Sequence, residues 1–275
     1  MNDKVKQIKR DGYLVIRNLL NEEEISNLEV SFKKKYSSEN DYHETDDNSV
    51  WEYLINRKLL VLLKEILGNQ IFYMHDVDLG KSKIKDYRRS WHRDNPCRST
   101  GNGPDWDRNF PYNVLTTITY MSSSKETNSN LNIILESHKI KYKYTISNVL
   151  RLIHRKLLET KYFSFVRKII EKIIGKKIFY NVGDCIIFFA NIYHMGNGVS
   201  KDNKDRKLII ARYGGPGKHS ENFLNYNFKH RSDISNRYLS TLKKYEFFNH
   251  LKKNKIYIPL PEEKKEIKGV YSQKK

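Results

Sequence analysis

The rhythm of apolar and polar positions changes twice along the chain. Residues 3–10 alternate without a clear end, and Asp11-Gly12 is a turn signal. Tyr13-Leu14-Val15-Ile16 then reads as a short strand. Asn21 caps a helix from about Glu22 to Lys35 with acids in its first turn. A polar loop follows over about 36–48, and a second helix runs from about Lys58 to Leu67, stopping at Gly68-Asn69. From there strands dominate: Ile71 to Leu79, Asn113 to Met121 with its Thr, Val, Ile and Tyr, and Leu131 to Leu135. Ile178-Phe179-Tyr180, the Gly183-Asp184 turn and Cys185 to Ile192 read as a hairpin-like pair, and Lys207 to Tyr213 as a last strand.

Short strands after N-terminal helices predict a mainly β chain with flanking α, an antiparallel barrel or sandwich with helices outside. One stretch breaks the strand texture. From about Lys139 to Lys177 the chain is basic, with Val149, Leu150, Ile153, Leu157, Phe165, Ile169 and Ile173 at helical spacing. Lying between two strands, it reads as an insert whose apolar stripe packs on the barrel or inserts into an interface, with the basic face looking outward. The chain of 275 residues is expected to be one domain over 1–275, with this insert and a polar tail from about 261.

Composition narrows the class. The two cysteines, Cys97 and Cys185, are too few for a disulfide scaffold and point to a reducing compartment. No apolar run is long enough for a transmembrane segment, so a cytoplasmic protein is expected. The net charge of +19 directs attention to an anionic partner: a phosphorylated, sugar- or lipid-linked small molecule, or peripheral contact with an anionic membrane surface. A solvated surface explains the charge equally well, and no specific nucleic-acid signature is present.

The chemistry lies in two short segments. In Ser90-Trp91-His92-Arg93-Asp94, residues i and i+2 of an extended chain share a face, so His92 and Asp94 can hold one ion together. A bare His-x-Asp is a weak signal. The second segment is Asn191-Ile192-Tyr193-His194-Met195-Gly196-Asn197-Gly198, where His194 is expected to end an apolar strand before a Gly-rich turn. Two imidazoles and one carboxylate make the facial triad of non-haem iron(II), which leaves positions for a bidentate 2-oxo acid and for O₂. Arg206 opens the last strand, and a guanidinium inside a barrel needs a carboxylate partner. The distal carboxylate of 2-oxoglutarate supplies one. Arg212, at period two on the same strand, competes for that role.

The landmarks together resemble the phytanoyl-CoA dioxygenase family of iron(II)/2-oxoglutarate oxygenases. They are Asp11 to Ile16, Trp91-His92-Arg93-Asp94, Asn130 to Lys139, Val182 to Phe188, and His194 followed by Arg206. The sequence departs from the family's middle motif at Asn130 and Glu136. The resemblance implies a double-stranded β-helix (jelly roll), iron(II), 2-oxoglutarate and O₂, and hydroxylation of an unactivated C–H bond. It implies His92, Asp94 and His194 as metal ligands and Arg206 as the 2-oxoglutarate anchor. His75 or Asp78, on the strand before the His-x-Asp, would add a polar contact to the co-substrate.

Arg98, Trp106 and Tyr112 lie in a Gly/Pro/Asp-rich loop that could line the substrate. Among the other histidines, His138 is expected to stabilise a turn and His154 to be solvated. Cys185 reads as a small buried hydrophobe. A different class remains open: a non-catalytic β-helix module binding a polyanion or membrane. The presence of His92, Asp94, His194 and Arg206 together favours the enzyme. Asp94 argues against halogenation, in which the acidic ligand is missing, whereas desaturation and epoxidation stay open.

Overall fold

The structure is a computed structural model that describes residues 3–37, 42–82, 90–94, 113–158, 163–198, 205–230 and 245–259. The chain forms two compact units. The first comprises Met1–Asn21, Gly80–Pro104 and Thr116–Ile209; the second comprises Glu22–Leu79, Asp105–Leu115 and Ile210–Lys275.

The first unit begins with helix α1 (Asp3–Asp11), where alternation alone had left the structure open. Val5 and Ile8, three residues apart, bury the inner face of α1. Gly12 ends the helix at φ +87°, donating to the Ile8 carbonyl at 2.8 Å. Strand β1 (Tyr13–Ile16) follows and pairs antiparallel with β6 (Cys185–Phe189), Tyr13 opposite Phe188 and Ile16 opposite Cys185. Beside β6 lie β3 (Val114–Tyr120) and then β8 (Arg206–Gly214), in the order β1-β6-β3-β8. Every residue of β6 and β3 is buried, as a near-continuous apolar and Thr-rich run requires of central strands. A smaller sheet takes the order β5-β4-β7, from β4 (Ser129–Ile133), β5 (Lys176–Ile178) and β7 (His194–Gly198). In it Ile133 stands opposite His194.

Residues Ile178–Tyr180 and Cys185–Ile192 were expected to form a hairpin, and they do not. Strand β5 pairs with β4, and β6 pairs with β1. The cause is the buried Asp184 carboxylate, which accepts from the backbone N–H of Asn18 and Asn181 and from the Arg17 guanidinium. It closes the turn through Asn181 and at the same time ties it to the end of β1.

Gly12 also governs the approach to the site described below. Its carbonyl accepts from Phe189 N–H at 3.1 Å, and a Cβ there would lie 2.5 Å from His138 Nδ1 and 2.6 Å from Ile192 Cδ1. Gly12→Ala therefore combines a left-handed backbone, at about 1–2 kcal/mol, with overpacking of about 1–3 kcal/mol. The expected destabilisation is about 2–4 kcal/mol in reversible unfolding; an unchanged midpoint would contradict this packing.

The second unit holds α2 (Glu22–Ser37), α3 (Asn48–Leu54), α4 (Arg57–Leu67), strands β2 (Ile71–Ser82) and β9 (Ile256–Tyr257), and helices α8 (Lys218–His230) and α9 (Tyr245–Lys253). Its strands run in the order β8-β2-β9, with β9 parallel to β2. Helix α4 starts on Asn56, whose side chain accepts from Leu59 N–H, and stops at Gly68 as expected. The core packs Leu28, Phe32, Tyr53, Leu63, Tyr73 and Phe247. No described helix is long and apolar enough to cross a membrane.

Back in the first unit, the short helix α5 (Ser124–Thr127) precedes β4, and the insert forms α6 (Ile146–Leu157) and α7 (Ser164–Ile174). The two helices pack on each other. Ile170 and Ile174 join Trp91, Ile134, Tyr142 and Met195 in one cluster, with Leu150 and Leu157 against it. Residues Trp91 and Met195 alternate with the neighbouring His92 and His194, so the insert covers the back of the strands that carry those histidines.

Candidate metal centre

His92, Asp94 and His194 come together. One donor atom from each lies within 4.8 Å of the others, the only such cluster of metal-ligating side chains among the described residues. The backbone brings them there. His92 and His194 form an antiparallel bridge, His92 N–H to the His194 carbonyl at 3.0 Å and the reverse bond at 2.9 Å. Asp94 N–H donates to the Ala190 carbonyl at 2.7 Å. The i, i+2 spacing of His92 and Asp94 then places both side chains on one side.

The donors are also oriented. His92 Nδ1 lies 3.1 Å from the Ser90 carbonyl, and His194 Nδ1 lies 3.2 Å from the Ile192 carbonyl. A proton on each Nδ1 satisfies these contacts and leaves both Nε2 lone pairs for an ion. Asp94 Oδ2 accepts from Thr116 Oγ1 at 3.1 Å, while Oδ1 faces His194 Nε2 at 3.7 Å. The Phe188 ring packs 4.6 Å from the His194 ring. Asp94 and His194 are buried, and His92 is half-buried. The donor set and its orientation fit a divalent first-row metal held on one face.

His194 does not end an apolar strand. Strand β6 stops at Phe189, residues 190–193 turn, and His194 begins β7. The turn closes through Ile192 N–H to the Phe189 carbonyl, 2.9 Å. A second layer holds it, and the sequence reading missed most of that layer. Ser137 Oγ accepts from Tyr193 N–H at 2.8 Å, and the Asn191 amide donates to the His138 carbonyl at 3.0 Å. His138 stacks on Phe189 and contacts the Lys9 carbonyl through Nε2, the turn-stabilising part expected of it. Arg93 and Arg151 both lie over the Tyr193 ring, at 4.3 and 4.1 Å. The signal for these partners was present in the Asn130–Lys139 landmark, and for Thr116 in the polar residues of an otherwise buried strand.

Arg206 opens β8, and its Nε is shielded from solvent with no hydrogen-bond partner among the described residues. It lies beside Tyr120, whose phenol burial pushes far above its usual value and whose anion Arg206 would favour. Thr116 and Tyr120 stand four residues apart on β3, on one face. That face carries the contact to Asp94 at one position and the neighbour of Arg206 at the other. The rival Arg212 is buried in the second unit and forms an ion pair with Asp76.

His75 and Asp78 also belong to the second unit, each with its own partner. His75 Nε2 meets the Pro259 carbonyl at 3.0 Å, and Asp78 accepts from Lys35 at 2.7 Å, with Glu44 on the same ammonium. Arg98, Trp106 and Tyr112 lie outside the described residues. Cys185 is fully buried, and burial pushes its thiol up to about 12, so it behaves as a small apolar residue. His154 is not solvated: it is 1% exposed and meets Glu171 at 2.9 Å.

No protein-family model and no curated protein matches the chain. Solved structures do. One is the non-heme alpha ketoglutarate dependent epimerase SnoN from nogalamycin biosynthesis, 13% identical over 78% of this chain and 80% of its own, with a TM-score of 0.54. Another is HygX from Streptomyces hygroscopicus with nickel, 2-oxoglutarate and hygromycin B bound, 13% identical over 78% and 87%, TM-score 0.56. A third is the non-heme monooxygenase ThoJ as its nickel complex, 11% identical over 87% and 100%, TM-score 0.55. The chain shares the fold of these structures, the sheet-rich, jelly-roll class with flanking helices that the sequence predicted.

Proposed function

We propose that the chain is an iron(II)- and 2-oxoglutarate-dependent oxygenase of the phytanoyl-CoA hydroxylase type, acting on an unactivated C–H bond of a small anionic molecule. The observation that carries this reading is the convergence of His92, Asp94 and His194, with both Nδ1 atoms at backbone carbonyls. Structural likeness to enzymes crystallised with a metal, and in one case 2-oxoglutarate, supports it.

When bound, iron(II) with 2-oxoglutarate and O₂ supplies the oxidising power for C–H cleavage, and the co-substrate leaves as succinate and CO₂. The chain's own residues bind and orient. His92 and His194 present neutral Nε2 donors, and Asp94 adds the one anionic ligand. Thr116 fixes one oxygen of that carboxylate, which would leave the other to hold the metal. Arg206 would receive the distal carboxylate of 2-oxoglutarate, giving its shielded Nε a partner. His75 and Asp78 have no part in this assignment.

The test measures 2-oxoglutarate-dependent succinate release across a panel of anionic metabolites. Asp94→Ala removes the anionic ligand and is expected to abolish it. Thr116→Val keeps the ligand and removes only the hydrogen bond that orients it, so iron affinity should fall about 10- to 100-fold. Parent-level succinate release by Asp94→Ala would rule the reading out.

A further inference from the structure

The insert follows the sequence expectation in part: Leu150 and Leu157 pack inward and Arg155, Lys156, Lys168 and Lys172 look outward, but other positions do not. Its basic residues Arg151 and Arg167 and its His154 are buried, while much of its apolar stripe faces outward. On α6, Ile146, Val149 and Ile153 recur at i, i+3, i+7 and are 79%, 54% and 41% exposed. On α7, Phe165, Ile169 and Ile173 recur at i, i+4, i+8 and are 72%, 42% and 65% exposed. The inner faces are already used on the Trp91–Met195 cluster, and among the described residues of their own unit these outer stripes have no partner. Scattered exposed apolar residues need no explanation, but two periodic stripes on adjacent helices mark a contact surface.

The charge around the stripes selects the occupant. Arg155, Lys156, Lys168 and Lys172 are exposed on the same two helices. The one acid within them, Glu171, is taken up by His154. A second copy of the chain would bring the same positive rim, on a molecule of net charge +19, and repel it. A bilayer surface of anionic lipids complements both features. Apolar side chains enter the headgroup–acyl boundary while Lys and Arg meet phosphates, and each basic residue near the surface strengthens partitioning about 5-fold. Helices of 12 and 11 residues are too short to span and the right length to lie in that plane.

We propose that the outer face of the α6–α7 pair docks this protein on an anionic lipid surface. The inference does not depend on iron or turnover. The full chain is sedimented with extruded vesicles of equal phosphatidylglycerol and phosphatidylcholine, and with phosphatidylcholine alone. Binding is expected to the first and not the second. It should weaken steeply between 0.1 and 1 M salt, as the Debye length shrinks from about 10 to about 3 Å. Phe165→Ser combined with Ile173→Ser should lower partitioning about 100-fold, with far-UV circular dichroism and melting unchanged. Should that variant misfold, Phe165→Trp keeps the apolar surface and reports instead: its emission shifts to the blue on anionic vesicles. No binding to anionic vesicles, binding that survives the double substitution in a folded protein, or no emission shift overturns the proposal. So does a concentration-dependent dimer in light scattering that the same two substitutions dissolve, since a second copy would then be the occupant.

Discussion

His92→Ala and His194→Ala are each expected to abolish iron(II) binding. The parent chain should take up about one iron per chain under anaerobic conditions, as a single facial triad allows, and develop the weak visible band of a 2-oxoglutarate chelate. Either imidazole supplies one of only three protein donors, and its loss removes a neutral nitrogen ligand that neither water nor buffer replaces with comparable affinity. The experiment separates metal loss from unfolding because the antiparallel bridge between residues 92 and 194 is made by backbone atoms and survives both substitutions. Far-UV circular dichroism of the metal-free variants should match the parent. Undiminished iron binding by the two folded variants would remove His92 and His194 from the site.

Arg206→Ala is expected to raise the 2-oxoglutarate requirement while leaving iron binding nearly intact. A charged, hydrogen-bonded pair removed from a shielded site costs about 2–5 kcal/mol, roughly 30- to 5,000-fold in affinity. Arg206→Lys should recover part of this, since an ammonium restores charge without the bidentate fork. Arg212→Ala should do something else. It leaves Asp76, 4% exposed, as a buried carboxylate without its guanidinium and should cost about 3–5 kcal/mol of stability. Titration of 2-oxoglutarate and thermal unfolding of both variants decide the assignment. An Arg212→Ala protein that folds normally but needs far more 2-oxoglutarate, beside an indifferent Arg206→Ala, would exchange the two roles.

The sequence by itself determined the local elements that a strong period or cap defines. The helix from Glu22, the stop at Gly68, the strands near residues 71, 114 and 207, and the juxtaposition of His92 with Asp94 follow from spacing and turn chemistry alone. Helices α1, α3 and α9, of 9, 7 and 9 residues, are too short for a period to stand out, and α8 carries its apolar residues among many polar ones. Only the tertiary structure decided matters that depend on distant residues. Pairing of β5 with β4 and of β6 with β1, rather than with each other, is set by donors 166 and 167 positions from Asp184 along with a near neighbour, and no local pattern carries that information. The pairing of Arg212 with Asp76 likewise could not be read from any spacing on β8. The insert gives the sharpest contrast. Helical spacing correctly predicted helices with apolar stripes, but a stripe records only that a face is apolar. Whether it turns inward is settled by what else competes for the inner side. Here Ile170, Ile174, the cation–π contact of Arg151 with Tyr193 and the His154–Glu171 pair occupy it, and much of the stripe is left facing out.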